Sequence, residues 1–409
     1  MCSPEKICDL QLNLLPDRIK SDRRLKCVRC DGIRGKPALV IRTDDPAMCR
    51  FCFVDGCVHK FKSAFGKSQL VPNGSRVAVA FSGGLCSTVM LDLIQRSKVR
   101  FNPVVFHLVG TKERELRNSE PIRSTLKDSG LEFHILDSPQ NQLLIEFRKQ
   151  LRFIWAQSKF CMLTEVETLL VRLLLVHCAR ELGCEFVLFG TCGSYQAVNF
   201  LNGLVDGRGS MAASDTMFVD LRSTHPVILR PLFEFMSKEL VFYARFQHLN
   251  WVTPENPITE AVLRRPGLTT VTRLCQDFLI GLQFNGFPST TQTILSTASK
   301  LAATSVSSSS GTHAQRCHLC LAPIPSPPDV SNPHKLALAS LVHSLSLSHE
   351  SPVDSSINKV LEKEPKQEKA PQFCNACFLL YTDMTAELKP AFRNVVHQLH
   401  ELRTGQSVE

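Results

Sequence analysis

The chain has 409 residues, enough for one large domain or two of ordinary size, and its 44% hydrophobic and 21% charged residues give the profile of a soluble globular protein. Its longest apolar stretch, near Leu169–Val176, is broken by Arg172 and is too short to span a bilayer, which excludes a membrane-spanning role. The 47 Lys and Arg against 38 Asp and Glu leave a formal net charge of +9, a balance that favours a polyanionic partner such as RNA without establishing one.

Met1–Asp17 carries no apolar run behind a basic stretch, so no secretory signal is expected. Seventeen cysteines in such a chain point to reduced thiols and metal ligands rather than disulfides, and to a cytoplasmic or nuclear protein. Residues 1–70 are basic, Cys-rich and short of apolar runs, which suits a metal-dependent module. From Arg76 the texture changes to strand–helix alternation over residues 71–285. "RVAVAF" (76–81) reads as a buried strand, with a helix over Ser87–Gln95. "PVVFHLV" (103–109) and "EFHILD" (132–137) read as further strands, separated by a charged helical stretch near 112–129. Residues 163–182 carry the strongest helical pattern, with Gly183 at the expected C-terminal cap, and "CEFVLFGT" (184–191) follows as a strand. Helical character returns over Met236–Leu249 and Thr270–Leu282. This order implies an α/β fold with a doubly wound parallel sheet.

The Ser/Thr-rich segment 289–314 reads as a linker (286–316) without a packed core. A C-terminal Cys-pair module with a low-complexity insertion is expected over 317–380, the polar stretch 344–371 lying inside it. A helix closes the chain over 381–409.

Cys27 and Cys30 form one C-x-x-C, and Cys49 and Cys52 form another after eighteen intervening residues. Each pair supplies two arms of a tetrahedral thiolate site, so structural zinc is expected there. Redox-active C-x-x-C is the chemical rival, but two such pairs outside a βαβ unit disfavour it. Cys57 and His59 stand close behind and leave a ligand exchange or second metal open. Cys317/Cys320 and Cys374/Cys377 repeat the pattern across 53 residues. Closing so long a loop costs little more than closing a short one, so one further zinc can staple both ends of the insertion. The other cysteines, Cys2, Cys8, Cys86, Cys161, Cys178, Cys184, Cys192 and Cys275, are expected mostly as small buried apolar residues.

"AFSGGLCSTVML" (80–91) ends a strand on Ser82-Gly83-Gly84 and starts a helix. Free backbone amides and the helix dipole favour an anion there, and Ser82 and Ser87 add hydroxyl donors. No G-K-[ST] follows, so the loop is not a Walker loop. The loop either binds phosphate or only turns the chain.

S-G-G-x-x-S after a first strand resembles the PP-loop of the ATP pyrophosphatases, usually S-G-G-x-D-S. The loop, the flanking Cys pairs and "ILRPLFEFMSKELVFYA" (228–244) together resemble the tRNA wobble-uridine 2-thiolation family over most of residues 25–250 and the terminal Cys pairs. The resemblance is stronger to that family's second, degenerate subunit. It implies a PP-loop fold flanked by zinc modules, and a cytosolic complex that 2-thiolates the wobble uridine of tRNAs for Lys, Glu and Gln. It also implies a heterodimer with a catalytic thiolase chain of related fold, tRNA as a partner, and sulfur from a ubiquitin-like thiocarboxylate carrier. ATP at Ser82, Gly83, Gly84 and Ser87 stays open.

The chain departs from an active thiolase at four places. Cys86 stands where the PP-loop has its aspartate, and a thiol does not replace a carboxylate that supports Mg²⁺. Thr164 and Glu167 align with a C-x-x-C, with Cys161 one turn earlier. Gly190-Thr191-Cys192-Gly193-Ser194-Tyr195 stands where active relatives carry G-H-N-x-D-D. The cysteine expected beyond the K-E segment is absent from residues 250–261, leaving Cys275 as the later candidate. An iron–sulfur cluster therefore lacks its usual ligands. The expectation is a subunit that is not catalytic alone. Two alternatives stay open: an active sulfurtransferase using an acid among Glu165, Glu167, Asp206 and Asp215, or a zinc-dependent RNA-binding adaptor. The basic and aromatic residues of 18–30 and 50–62 suit RNA, with aromatics stacking on unpaired bases.

Overall fold

The computed structural model describes residues 26–42, 45–108, 119–136, 160–220, 222, 225–252, 270–307, 316–322, 324, 372–382 and 384–404. The chain divides into two units, Met1–Ser310 and Gly311–Glu409.

The first unit opens on a small hairpin of β1 (Pro37–Leu39) and β2 (Met48–Cys49), from which α1 (Arg50–Ser68) starts without a loop. Cys49 is the N-cap of α1, its sulfur accepting from the Cys52 amide at 3.5 Å. The helix buries Phe53, Val54, Cys57 and Phe61 in the same core as the strand residues Val77 and Val79. The Cys-rich segment is therefore continuous with the α/β core, and no boundary falls at residue 70.

Six strands form one sheet: β3 (Arg76–Ala80), β4 (Asn102–Leu108), β5 (Glu132–Leu136), β6 (Phe186–Phe189), β7 (Val219–Asp220) and β8 (Val227–Leu229), in the order β5-β4-β3-β6-β8-β7. All pairings are parallel except that of the edge strand β7 with β8. Strands such as Val77-Ala78-Val79 are apolar without alternation because both faces of a parallel sheet are covered. The helices are α2 (Leu85–Ser97), α3 (Ser119–Asp128), α4 (Phe160–Glu181), α5 (Gly193–Val205), α6 (Gly209–Thr216), α7 (Ser237–Phe246), α8 (Val271–Phe284) and α9 (Thr290–Ser307). Gly183 closes the end of α4 at φ +68°, the left-handed conformation that glycine takes without strain. Strand order reverses between β3 and β6, which opens a crevice at the carboxyl ends of those strands.

One expectation is overturned. The Ser/Thr-rich segment read as an unpacked linker forms α9, which buries Thr291, Leu295 and Ala298 against Ala197, Phe200 and Ala212 of α5 and α6. Ile294, Leu295 and Ala298 supply the apolar face among the Ser and Thr residues, so composition alone misled. Only the tail of that segment, 308–314, lies outside the described residues.

The second unit contains α10 (Asn375–Thr382) and α11 (Leu388–Thr404). Phe392 of α11 is fully buried, with ring centroids 6.0 Å from Phe373 and 6.3 Å from Tyr381. The insertion 344–371 lies outside the described residues.

Candidate functional site

At the reversal point the loop Ser82-Gly83-Gly84 leads from β3 into α2. Gly83 has φ +76°, and a Cβ placed there would stand 2.7 Å from the Ile122 side chain, so only glycine fits. Gly84 is the N-cap of α2 and has no side-chain cap, which leaves the first amides of the helix without a side-chain acceptor. Ser82 Oγ and Ser87 Oγ lie 3.1 Å apart, and Ser87 donates to the Gly84 carbonyl at 3.0 Å. The Val252 amide donates to the Gly83 carbonyl at 2.9 Å, so the segment after α7 returns to hold the loop. Beneath it, His107 Nδ1 meets the Phe81 carbonyl at 2.8 Å, which fixes the proton on that nitrogen. Ser82, Gly83, Gly84 and Ser87 therefore form one compact turn. Ser82 faces solvent and Ser87 is buried.

The opposite wall is the carboxyl end of β6. A Cβ on Gly190 would approach the Cα of Ser87 to 3.1 Å, so β6 presses directly on the first turn of α2. Cys192 caps α5 there, and its sulfur lies 3.4 Å from Ser237 Oγ. The Cys86 thiol and the Ser237 hydroxyl, with the Ser194 and Tyr195 amides, pull the Cys192 thiol down to about 6 against the opposing effect of burial. Cys86 moves the other way, pushed up by its bond to Cys192 and by burial. Cys86 occupies the position of the PP-loop aspartate, and Cys192 that of the asparagine in the G-H-N-x-D-D segment of an active relative.

The acids weighed as replacement ligands are engaged elsewhere. Glu165 accepts from Arg208 at 2.6 Å, while Asp215 pairs with Arg172 at 3.0 Å and Arg208 at 3.3 Å. Asp206 accepts from the Asn202 amide. Asp220 adds contacts to Arg172, Arg222 and Arg230. Burial alone would raise the Asp220 carboxyl, but the three guanidiniums outweigh it and hold it far below the usual carboxylate range. The cluster ties α4, α6, β7 and β8 together beneath the sheet edge. Sequence reading singled out Arg172 as a break in an apolar run and Glu165 and Asp215 as candidate acids, and nothing in spacing joined them into one cluster. The side chains of Cys161, Thr164 and Glu167 lie outside the described residues. Cys275 stands on α8, packed near Ala197 and Leu279.

The thiols of Cys27, Cys30, Cys49 and Cys52 converge within 4.8 Å of one another, and so do those of Cys317, Cys320, Cys374 and Cys377. Each four-thiol set can hold one metal ion in tetrahedral geometry. Among the described residues neither Cys57 nor His59 joins a group of metal ligands: Cys57 is buried in the main core and His59 contacts Ser63. Two aromatics expected to stack on RNA are also core residues. Phe53 and Phe61 are buried, and Phe51 alone of the three faces solvent.

A family model described as Cytoplasmic tRNA 2-thiolation protein 2 matches residues 270–379. Curated proteins of that name match from Danio rerio, 28% identical over 366 residues covering 72% of each chain, and from Homo sapiens, 28% identical over 386 residues covering 75% of this chain and 73% of the relative. The chain is thus similar to proteins of the cytoplasmic tRNA 2-thiolation protein 2 family. A solved structure, the U34-tRNA thiolase NcsA from Methanococcus maripaludis with its 4Fe-4S cluster, superposes with a TM-score of 0.54 at 17% identity, covering 68% of this chain and 88% of that one. The chain thus shares the fold of that thiolase. Its family model spans α8, α9 and all four cysteines of the C-terminal set and excludes the glycine loop. No helix among the described residues is long and apolar enough to cross a membrane.

Proposed function

We propose that this chain works in the cytoplasm in 2-thiolation of the wobble uridine of tRNAs for Lys, Glu and Gln, as a partner that does no chemistry alone. It pairs with a catalytic thiolase chain of related fold, and sulfur reaches that pair from a ubiquitin-like thiocarboxylate carrier. Each four-cysteine set holds a structural zinc ion, which fits an all-thiolate tetrahedral donor set. The observation that carries the reading is the crevice itself. The PP-loop backbone is retained, while Cys86 and Cys192 stand at its floor and Glu165 and Asp215 are bound by arginines. An active enzyme needs a carboxylate free to support Mg²⁺, and these acids are already neutralised. What the loop retains suits a phosphate, from ATP or from tRNA, held without turnover at the start of α2.

The test is 2-thiouridine in bulk tRNA, measured by mass spectrometry of nucleosides in cells lacking this chain. The cells are re-supplied with the native chain or with Ser82→Ala/Ser87→Ala, which leaves Gly83 intact. Thiolation lost on deletion and restored by both chains supports a scaffold. Restoration by the native chain alone means the loop handles a phosphate that the reaction requires. Thiolation unchanged by deletion overturns the proposal.

A further inference from the structure

α8 is apolar on two faces, and the described residues cover one of them. On the inner face Leu279 is buried beside Ala197, Val198 and Leu295, with Cys275 packed against the same group. Thr272 donates to the Asn202 side chain at 2.9 Å and Gln283 to Thr291 at 2.6 Å, which fixes the rotation of the helix along its length. The outer face carries Leu274, Phe278 and Phe284, 55%, 59% and 71% exposed, with Phe287 60% exposed just beyond the helix end. A helix that is apolar all round is ordinarily buried all round. These four side chains leave on the order of 400 Å² of apolar surface bare, as much as the largest patch on a typical whole monomer. The only charged residues of α8, Arg273 and Asp277, pair with each other at 3.0 Å.

Gly281 lies on the same stripe, at the i, i+4, i+7 spacing from Leu274 and Phe278. Glycine inside a helix is less stable than alanine, so it needs a reason. Among the described residues there is none, because a Cβ at Gly281 would meet nothing within 4 Å. The result is a notch in an apolar surface, between Phe278 and Phe284.

We infer that this face of α8 is a two-fold interface between two copies of the chain, crossing antiparallel with Leu274 of each seated over Gly281 of the other. The stripe is complementary to itself. Leu274 and Gly281 lie equally far on either side of its midpoint, so one two-fold rotation fills both notches and brings the two Phe278 rings to the centre. Because Arg273 and Asp277 neutralise each other, no like charges oppose the approach. A stable dimer buries about 800 Å² per partner around an apolar centre, and the bare apolar area of α8 supplies about half of that. The contact uses neither the glycine loop nor either cysteine set, and so is independent of the thiolation role.

The test is sedimentation velocity of the full, metal-loaded chain, purified alone, over about 1–100 µM. The native chain is expected to dimerise and Phe278→Glu to stay monomeric, with circular dichroism showing that the variant is folded. Gly281→Leu separates the notch from simple apolar adhesion. It puts a better helix former into open space, so its melting temperature under dilute conditions should hold or rise, while dimer affinity falls about tenfold or more. A patch that associates through apolar area alone would instead bind more tightly with the added leucine. The inference is overturned if the native chain is a monomer at the top of that range, or if Gly281→Leu dimerises as well as the native chain. It is overturned equally if a catalytic thiolase chain, added to the native chain, displaces the second copy from α8.

Discussion

Lys60 of α1 donates to both carboxylate oxygens of Glu239 at 3.0 Å, across 179 residues of sequence. Glu239 also accepts from the Met236 amide at 2.7 Å, closing a capping box at the start of α7, and the Lys60 ammonium sits 4.6 Å from the centre of the Phe235 ring. Both side chains are largely shielded from water. The pair therefore fastens the Cys-rich helix to the segment that resembled the family's K-E motif.

Glu239→Gln keeps the shape and removes the charge. It is expected to lower stability by about 1–2 kcal/mol, within the range for a partly buried charged hydrogen bond. Lys60→Met should cost a similar amount, and the double variant less than the sum, because the two act through one contact. Thermal melts of the four chains check this; strict additivity would mean the pair contributes nothing of its own.

Gly83→Ala meets two obstacles, a left-handed backbone and the Ile122 side chain. The expected loss is about 2–3 kcal/mol, combining backbone strain with overpacking. Ile122→Ala in the same chain should recover the overpacking part and leave the strain. Denaturant unfolding of the single and double variants measures the coupling. An equal loss with and without Ile122 would place the whole cost in the backbone.

Asp220 titrates well below its unfolded value of about 3.9, so its contribution to stability is complete above that pH and is lost as pH falls through the folded value. Asp215 follows the same sign, its opposing burial outweighed by Arg222, Arg208 and Arg172. The native chain should therefore lose stability steeply below about pH 4. Asp220→Asn removes one of the two carboxylates facing Arg172 and Arg222 and the carboxylate facing Arg230, and should cost about 3–5 kcal/mol at neutral pH, with a flatter acid limb. Urea midpoints from pH 7 to pH 3 test both statements.

The sheet, α2, α4 and the two cysteine sets were legible in the sequence because each has a local signature: apolar runs, a cap glycine, a C-x-x-C. Three things were not. α9 hid because its Ser/Thr-rich composition masked a short stripe of Ile294, Leu295 and Ala298 that packs on α5 and α6. The aromatic–basic run 50–62 looked like an RNA surface, yet Phe53 and Phe61 face the core, since helical periodicity and not composition decides which side is wet. The packing of Gly190 on the first turn of α2 depends on β3 and β6 being neighbours, which only the topology supplies.

Metal removal should act unequally along the first unit. Cys27, Cys49 and Cys52 pack chiefly on one another, with Cys30 and Met48 beside them, and Val28 and Ile33 are exposed, so little apolar area holds residues 26–36 once the thiolates lose their ion, whereas Leu39 of the hairpin lies in the main core. α1 differs: Phe53 and Phe61 are anchored in the main core with Val77 and Leu93, so the helix should survive the loss of its Cys49 cap. Element analysis of the native chain is expected to give about two zinc ions, one for each four-thiol set, and Cys49→Ser or Cys320→Ser about one. After chelation, limited proteolysis should cut within 26–36 while a fragment containing 76–252 persists. Cleavage throughout that fragment at the same chelator dose would mean that the metal sustains the whole unit, and that the shared core of α1 and the sheet is too weak to stand without it.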